Sequence, residues 1–302
     1  MFSIIITDYQ TISETFSYIM DVVYRKFKID CNIVVVDNSN QHDALHYMTA
    51  KKISYSESSY KEKKLYELLI GDIKAYIIDA DSNGGFSVGN NLGANFAMEK
   101  LQSEYLLFSN SDIDIPDEFD FDYYLKKLSE SSNIGIVGPE VITPNGTIQS
   151  PRKKLSFFVQ MVLKPLDIFW LSGRLKKHTS DVLTTNTAQE VDWISGCFMF
   201  VRSDAFLLAN GFDENIFLYC EEIILSERFR RNGFKTYYLP NYGIIHKHEY
   251  SKFSLKMEKY LRNSWEYYFF NYGSIRKWKL WTASCVYNII LNVFILKKRI
   301  LK

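Results

Sequence analysis

The chain of 302 residues is poor in several features that would fix a class at once. It has four cysteines, Cys31, Cys197, Cys220 and Cys285, scattered with no Cys-x-x-Cys pair. That spacing argues against a zinc ribbon or disulfide framework and suits a reducing compartment. It lacks an excess of charge: 36 Lys and Arg against 35 Asp and Glu leave +1, so net charge gives no reason to expect a nucleic-acid partner. The first residues, MFSIIITDYQ, lack a basic leader and read as a first strand, not a signal peptide. No Gly-x-Gly-x-x-Gly accompanies the pair Gly84-Gly85, which argues against a dinucleotide site. No internal repeat or low-complexity linker is visible. The apolar run Trp281 to Leu296 is shorter than the roughly 20 residues that span a bilayer, and it contains Thr282, Ser284, Asn288 and Asn292.

What is abundant is aromatic: 21 Tyr and 22 Phe in a chain that is 47% hydrophobic and 24% charged, ordinary otherwise for a globular protein with a substantial core. Short β-branched runs recur at Ser3 to Thr7, Asn32 to Val36, Lys74 to Ile78 and Tyr105 to Phe108. Between them the pattern predicts helices over 12–28, over the polar stretch 41–70, and from Gly85 through Leu101. Strands alternating with helices predict an α/β fold with a mostly parallel central sheet. Ligands of such sheets sit beyond the carboxyl ends of the strands, and Asp8, Asp37, Asn83 and Asp112 all fall there. Further on, the pattern predicts short strands at 134–137, 140–143, 192–201, 236–239 and 244–245, and helices at 203–209 and 221–232. Residues 155–188 read as an irregular insertion or mobile loop. The stretch 251–302 reads as a helical, aromatic and basic tail, with Trp265, Trp278 and Trp281 followed by Lys297, Lys298, Arg299 and Lys302. Such a helix suits an anionic membrane surface or a docking partner.

Two acidic clusters carry the chemistry. Asn110-Ser111-Asp112-Ile113-Asp114 ends the fourth strand, and Glu221-Glu222 opens a helix about a hundred residues later. Strand-end carboxylates suit a hard divalent cation; a separate pair suits proton transfer. The same residues also have plain structural readings. Asp112 can form an Asx turn, and acids favour a helix start through the dipole.

Several segments resemble the GT-A-fold, family 2 inverting glycosyltransferases, in particular the rhamnosyltransferase-like branch. They are Val34-Val35-Val36-Asp37-Asn38-Ser39, Asn83-Gly84-Gly85-Phe86 with Gly89-Asn90-Asn91, and Asn110-Ser111-Asp112. After them come Val191-Asp192-Trp193-Ile194-Ser195-Gly196, Gly211-Phe212-Asp213 with Phe217-Leu218-Tyr219, and Ile245-His246. The segments occur in the family's order over residues 3 to 248. The resemblance implies a catalytic domain over 1–250 with the tail 251–302 appended. It implies that Asp112 holds Mn²⁺ or Mg²⁺ against a sugar-nucleotide diphosphate, with His246 completing the coordination, His248 as a substitute and Asp114 as a minor participant. Asn110 stands where relatives have the motif's first Asp. Asp37 would read the base or ribose, beside Asp8, Tyr9, Asn83, Gly84, Gly85 and Asn90. Trp193 and Gly196 would line the sugar or acceptor pocket, and Arg152 and Arg202 could meet phosphate or be structural. Glu222 would be the general base, with Glu221 preceding it. The usual Glu-Asp is here Glu-Glu, and a further usual acid two positions on is Ile224.

The expectation is therefore an inverting glycosyltransferase of bacterial surface polysaccharide synthesis. It would take a dTDP- or UDP-sugar donor and a glycan acceptor, lipid-linked if the tail meets a membrane. Its place would be the cytoplasm or, peripherally, the inner face of the plasma membrane. Two other readings stay open: a catalytically degenerate relative that binds nucleotide or partner proteins, motivated by Glu-Glu and Ile224, and a nucleotidyltransferase.

Overall fold

The computed structural model describes residues 1–27, 29–171, 173–247 and 254–300, without the side chains of 298–300. His248 and the basic residues Lys298, Arg299 and Lys302 of the sequence reading therefore lie outside the described residues or side chains, as does the boundary at 250.

The strands are β1 (Phe2–Asp8), β2 (Asn32–Asp37), β3 (Ser56–Tyr60), β4 (Lys63–Ile70), β5 (Ile73–Asp79), β6 (Tyr105–Ser109) and β7 (Ile113–Asp114). They continue with β8 (Ile134–Gly138), β9 (Val141–Ile142), β10 (Ile148–Ser150), β11 (Gln189–Val191), β12 (Phe198–Arg202), β13 (Lys235–Tyr238) and β14 (Ile244–His246). Ten of them form one sheet in the order β11-β13-β8-β12-β6-β1-β2-β5-β4-β3. The sheet is mixed. Its centre, β6-β1-β2-β5, is parallel, β12 runs antiparallel to β6 and β8, and a hairpin edge closes the far side.

The central strands are apolar on both faces because both are covered. Ile4, Ile6, Ile33 and Val35 face a core shared with Phe16, Val23, Tyr124 and Leu128. Ile5 and Val34 face the other, with Ala94, Ala97, Phe206 and Phe229. Alternate residues of one strand thus enter opposite cores, as the two-residue period requires. The helices Ile12–Tyr18, Asp43–Lys51 and Phe121–Glu130 lie on the first side, and Phe86–Leu101, Ser203–Leu208 and Glu221–Arg231 on the second.

Three local expectations are corrected. Residues 41–70 are not one helix: the helix stops at Lys51 and β3 and β4 follow. Lys63–Ile70 buries Leu65, Tyr66, Leu68 and Ile70 between β5 and β3, with Glu67 and Leu69 turned outward. The stretch 192–201 is not one strand, because a turn at Asp192–Cys197 separates β11 from β12. Much of 155–188 is helical, from Val159–Leu163 through Lys164–Leu166 to Asp167–Leu171. Its ordering partner is remote: Phe157 and Met161 join Tyr268, Phe269, Leu280 and Ala283 of the tail, and Phe169 joins Tyr287 and Leu291.

The tail is two helices, Leu255–Asn271 and Lys277–Ile300. Over Lys277–Lys297 the second is long and apolar enough to cross a membrane by length and composition, with 28% of it buried. Trp278, Trp281, Ile289, Val293 and Leu296 are exposed.

Candidate active site

The carboxyl edge of the parallel strands carries a row of aspartates in register: Asp8 beside Asp37, and Asp37 beside Asp79. Each is buried, and each has a local task. Asp8 accepts from Thr11 Oγ1 at 2.8 Å and Thr15 Oγ1 at 2.6 Å, tying the first helix to β1. Asp37 accepts from the backbone N–H of Ser39 at 3.1 Å and Ala44 at 2.8 Å. Burial raises the Asp37 pKa, and those hydrogen bonds oppose the shift. Asp79 meets His42 Nδ1 at 2.5 Å and the Asp81 N–H at 3.0 Å. His42, Asp79 and Asp81 form the compact His-Asp-Asp group among the described residues, with ligand atoms within 4.8 Å of one another. Asp79 and this group were not read from the sequence, although Asp79 ends the same strand that was. Tyr9 is exposed next to Asp8.

The second loop at this edge is held by amides. Asn38 Nδ2 donates to Asn83 Oδ1 and to the Gly85 carbonyl, both at 3.1 Å, and Asn38 Oδ1 accepts from Gly84 N at 3.3 Å. Gly85 has φ +88°, and a Cβ there would stand 2.4 Å from the Phe217 carbonyl oxygen, so the position demands glycine. Asn90 donates to the Phe86 carbonyl inside its own helix. Asn91 spans to the Gly-Phe-Asp segment through both Phe212 backbone groups.

A small sheet, β10-β9-β14-β7, assembles the third part. Because His246 pairs with Ile113 across β14 and β7, its imidazole falls beside Asp112. Nε2 stands 3.2 Å from Asp112 Oδ1, and Nδ1 stands 2.7 Å from Gln149 Oε1 on β10. Asn110 Nδ2 is 3.5 Å from the same Nε2. Burial works against a charge on His246, but hydrogen bonds to Asp112 and Cys197 outweigh it and push the pKa up to about 10. Asp114 points to other partners: Lys26 Nζ at 2.9 Å and Lys247 Nζ at 3.7 Å. Lys26 holds its carboxyl below the usual range against the opposing effect of burial. The donor set fits a divalent cation. Asp112 supplies carboxylate oxygen, and the Gln149 oxygen can accept the Nδ1 proton of His246, orienting Nε2 toward Asp112.

The fourth part follows from a turn. Glu221 and Glu222 open the helix Glu221–Arg231 after Cys220, whose φ is +67°. Glu221 turns inward. It is buried, accepts from Tyr219 N at 2.8 Å, and is pushed up to about 8 by burial and then by the charge of Glu222. Glu222 is half-buried, and its Oε1 accepts from Gly196 N at 3.1 Å. A Cβ on Gly196 would lie 2.9 Å from Glu222 Cγ, so a larger residue here would displace that side chain. Ile224 is fully buried among Trp193, Cys220 and Tyr268, so that position belongs to packing.

One turn joins the cation side to the Glu222 side. Asn110 N donates to the Cys197 carbonyl at 2.9 Å, Ser195 Oγ lies 3.2 Å from Cys197 Sγ, and Ser195 N donates to Ser150 Oγ at 3.2 Å. Between Ser195 and Cys197 sits Gly196, which holds Glu222. Sequence reading missed Gln149 and Cys197; the spacing Ser195-Gly196-Cys197 after Trp193 was the available signal for the latter. Arg202 pairs with Asp204 at 2.6 Å over the Phe234 ring, a structural placement.

No protein-family profile matches the chain. Among curated proteins it is 28% identical over 193 residues to the rhamnosyltransferase WbbL of Escherichia coli, covering 61% of this chain and 69% of that protein. It is 25% identical to the low-salt glycan biosynthesis hexosyltransferase Agl10 of Haloferax volcanii, covering 76% of this chain and 62% of that one. It is 26% identical to the N-acetylglucosaminyl-diphospho-decaprenol L-rhamnosyltransferase of Mycobacterium tuberculosis, covering 43% of each. The chain thus spans less than two thirds of the second and third of these relatives. Among solved structures, that of GalNAc-T7 with UDP, GalNAc and Mn²⁺ superimposes with a TM-score of 0.53 at 13% identity, over 87% of this chain and 46% of that one. The chain therefore has the GT-A glycosyltransferase fold and is similar in sequence to rhamnosyl- and hexosyltransferases, in keeping with its resemblance to the rhamnosyltransferase-like branch of family 2.

Proposed function

We propose that the protein is a metal-dependent inverting glycosyltransferase that moves a sugar from a dTDP- or UDP-sugar to a glycan acceptor in surface polysaccharide synthesis. The observation that carries this is the Ser195-Gly196-Cys197 turn, which touches the Asn110 loop through Cys197 and fixes Glu222 through Gly196. A single short segment thus couples a candidate cation site to a candidate base.

In this reading Tyr9, Asn83 and Gly84 receive the nucleotide, while Asp8, Asp37, Gly85 and Asn90 keep its loops in shape. Asp112 and His246 hold Mn²⁺ or Mg²⁺, with Asn110 beside them. When bound, the cation offsets charge developing on the departing diphosphate. Glu222 takes the proton of the acceptor hydroxyl, and that oxygen attacks the anomeric carbon in line from the face opposite the leaving group. Glu221, uncharged when protonated, keeps a second negative charge away from the base. The exposed aromatic face of Lys277–Ile300 suits contact with the membrane surface on which a lipid-linked acceptor is presented.

The test is turnover of dTDP- and UDP-sugars with Mn²⁺. Release of nucleoside diphosphate that is lost with EDTA and in Asp112→Asn supports the reading. Release of pyrophosphate would make the protein a nucleotidyltransferase instead, and nucleotide binding without turnover would make it the non-catalytic relative.

A further inference from the structure

On the Glu222 side lies a group of cations that the reaction above does not use. Lys164 Nζ stands 3.3 Å from Asp181 Oδ1, and Arg152 Nη1 stands 3.0 Å from Asp181 Oδ2. The three side chains are 23%, 18% and 9% exposed. No second acid forms an ion pair with either cation among the described residues, so two positive charges share one carboxylate in a mostly buried place. A buried charge left uncompensated is costly, and such a site favours an anion.

A second observation points the same way. The Trp193 ring lies 5.2 Å from the Arg152 guanidinium, and the two residues are bridged through their backbones. Trp193 is 9% exposed, yet its indole Nε1 has no hydrogen-bond partner among the described residues. Buried polar groups without partners are uncommon and call for a cause. Donors outnumber acceptors here, as a ligand with several phosphate oxygens would require.

The surroundings say which phosphate. Trp193 begins the turn that reaches Gly196 and hence Glu222. Toward Asp112 the cluster has an indirect link: Arg152 Nε donates to the Gln149 carbonyl, and the Gln149 side chain meets His246, so titration with UDP is what separates the two phosphates. The helical stretch that carries Lys164 also packs on the last helix: Trp170 Nε1 donates to the Ile290 carbonyl at 3.3 Å, and the Phe169 and Phe294 rings lie 4.9 Å apart. Outward from that contact, Phe158, Ile168, Ile289 and Leu296 are exposed.

We propose that Arg152, Lys164 and Trp193 form a subsite for the phosphate groups of a lipid-linked glycosyl phosphate or diphosphate acceptor, whose lipid chain lies on the apolar face shared by 158–168 and the last helix. This rests on the reading of Glu222 as the base that faces the acceptor. The subsite would set the acceptor sugar at a fixed distance from Glu222 and leave the donor diphosphate to Asp112.

Titration of the full chain with farnesyl diphosphate, inorganic pyrophosphate and UDP plus Mn²⁺ tests it. Lys164→Gln should weaken farnesyl diphosphate about tenfold or more, since a charge-assisted contact is lost, and leave UDP binding unchanged. Trp193→Phe, which removes only the N–H, should weaken it several-fold, and it decides the matter if Lys164→Gln does not fold. Farnesyl diphosphate should also bind tighter than pyrophosphate. Failure of the wild type to bind it, or unchanged binding in the variants, overturns the proposal. One-for-one displacement by UDP assigns the cluster to the donor and overturns it as well. Farnesyl diphosphate binding without any UDP binding would keep the subsite and remove the donor reading, so the two failures are distinguishable.

Discussion

The aspartate row at the sheet edge and the glutamate pair at Glu221-Glu222 are both strand- or helix-end carboxylates, but they spend their oxygens differently. Asp8, Asp37 and Asp79 are buried, and both oxygens of each carboxylate are engaged by hydrogen bonds. Glu222 is half-buried and accepts from one backbone N–H at 3.1 Å, on a loop distant in sequence. An acid whose oxygens are all engaged shapes its surroundings. An acid held by one contact has capacity left for chemistry. Within the glutamate pair the difference is burial: Glu221 is buried and Glu222 half-buried.

The sharpest way to break this comparison is to remove one charge from each region. Glu222→Gln keeps size and the acceptor oxygen for Gly196 but cannot take a proton. Transfer should fall by about 10³-fold, the range of general-base catalysis, with melting temperature unchanged. Steady-state kinetics beside calorimetry checks this; retained turnover would remove Glu222 from the mechanism. Asp37→Ala should do the reverse. It strands the Ser39 and Ala44 N–H groups without an acceptor in a buried place, at a cost of about 3 kcal/mol in denaturant unfolding. If Asp37→Ala folds with native stability, the structural reading of the row is wrong.

Asp8 and Asp37 of the row were legible in the sequence; Asp79 and the roles of all three were not. Continuous β-branched runs ahead of Asp8 and Asp37 placed those residues at the carboxyl edge, because strand ends follow from local pattern. Which partners fill their oxygens depends on helix starts such as Thr15 and Ala44, and pattern does not specify those contacts. The pair Asp112 and His246 was named from motif order, yet Gln149 was not, since it enters through β10, a three-residue strand with no periodic signal. The stretch 155–188 looked irregular because its order comes from tail residues more than a hundred positions away. Conversely, 41–70 looked helical because β4 alternates inside a polar stretch whose partner, β5, had not been weighed.

A pH series sharpens the contrast inside the glutamate pair. Burial, then the Glu222 charge, pushes Glu221 from 4.5 up to about 8. The folded state therefore keeps a proton that the unfolded chain releases. The stability associated with protonated Glu221 is fully present below about pH 4.5 and is lost as pH rises toward 8. Glu221→Gln should flatten that decline and leave the variant more stable than wild type above pH 8, by on the order of 1–2 kcal/mol. Chemical denaturation at several pH values checks the sign. A parallel decline in both proteins would mean that Glu221 is ionised in the fold.

The smallest effect belongs to Gly196, which holds Glu222 and precedes the residue that meets the Asn110 loop. Gly196→Ala adds one methyl group 2.9 Å from Glu222 Cγ, closer than side chains normally approach. The obstacle is the flexible stem of a half-exposed side chain, so the fold can accommodate it by moving Glu222, and stability should change little. The displaced carboxylate would no longer meet the acceptor hydroxyl at the same distance. Since about 1 Å of misplacement costs about 10²-fold, a shift of a few tenths should cost several-fold in kcat. Binding of UDP should stay as it was, because the turn at Gly196 meets the Asn110 loop through the Cys197 carbonyl, which the substitution leaves in place. A loss of UDP affinity instead would mean that the two sides of the site are coupled more tightly than one backbone hydrogen bond implies.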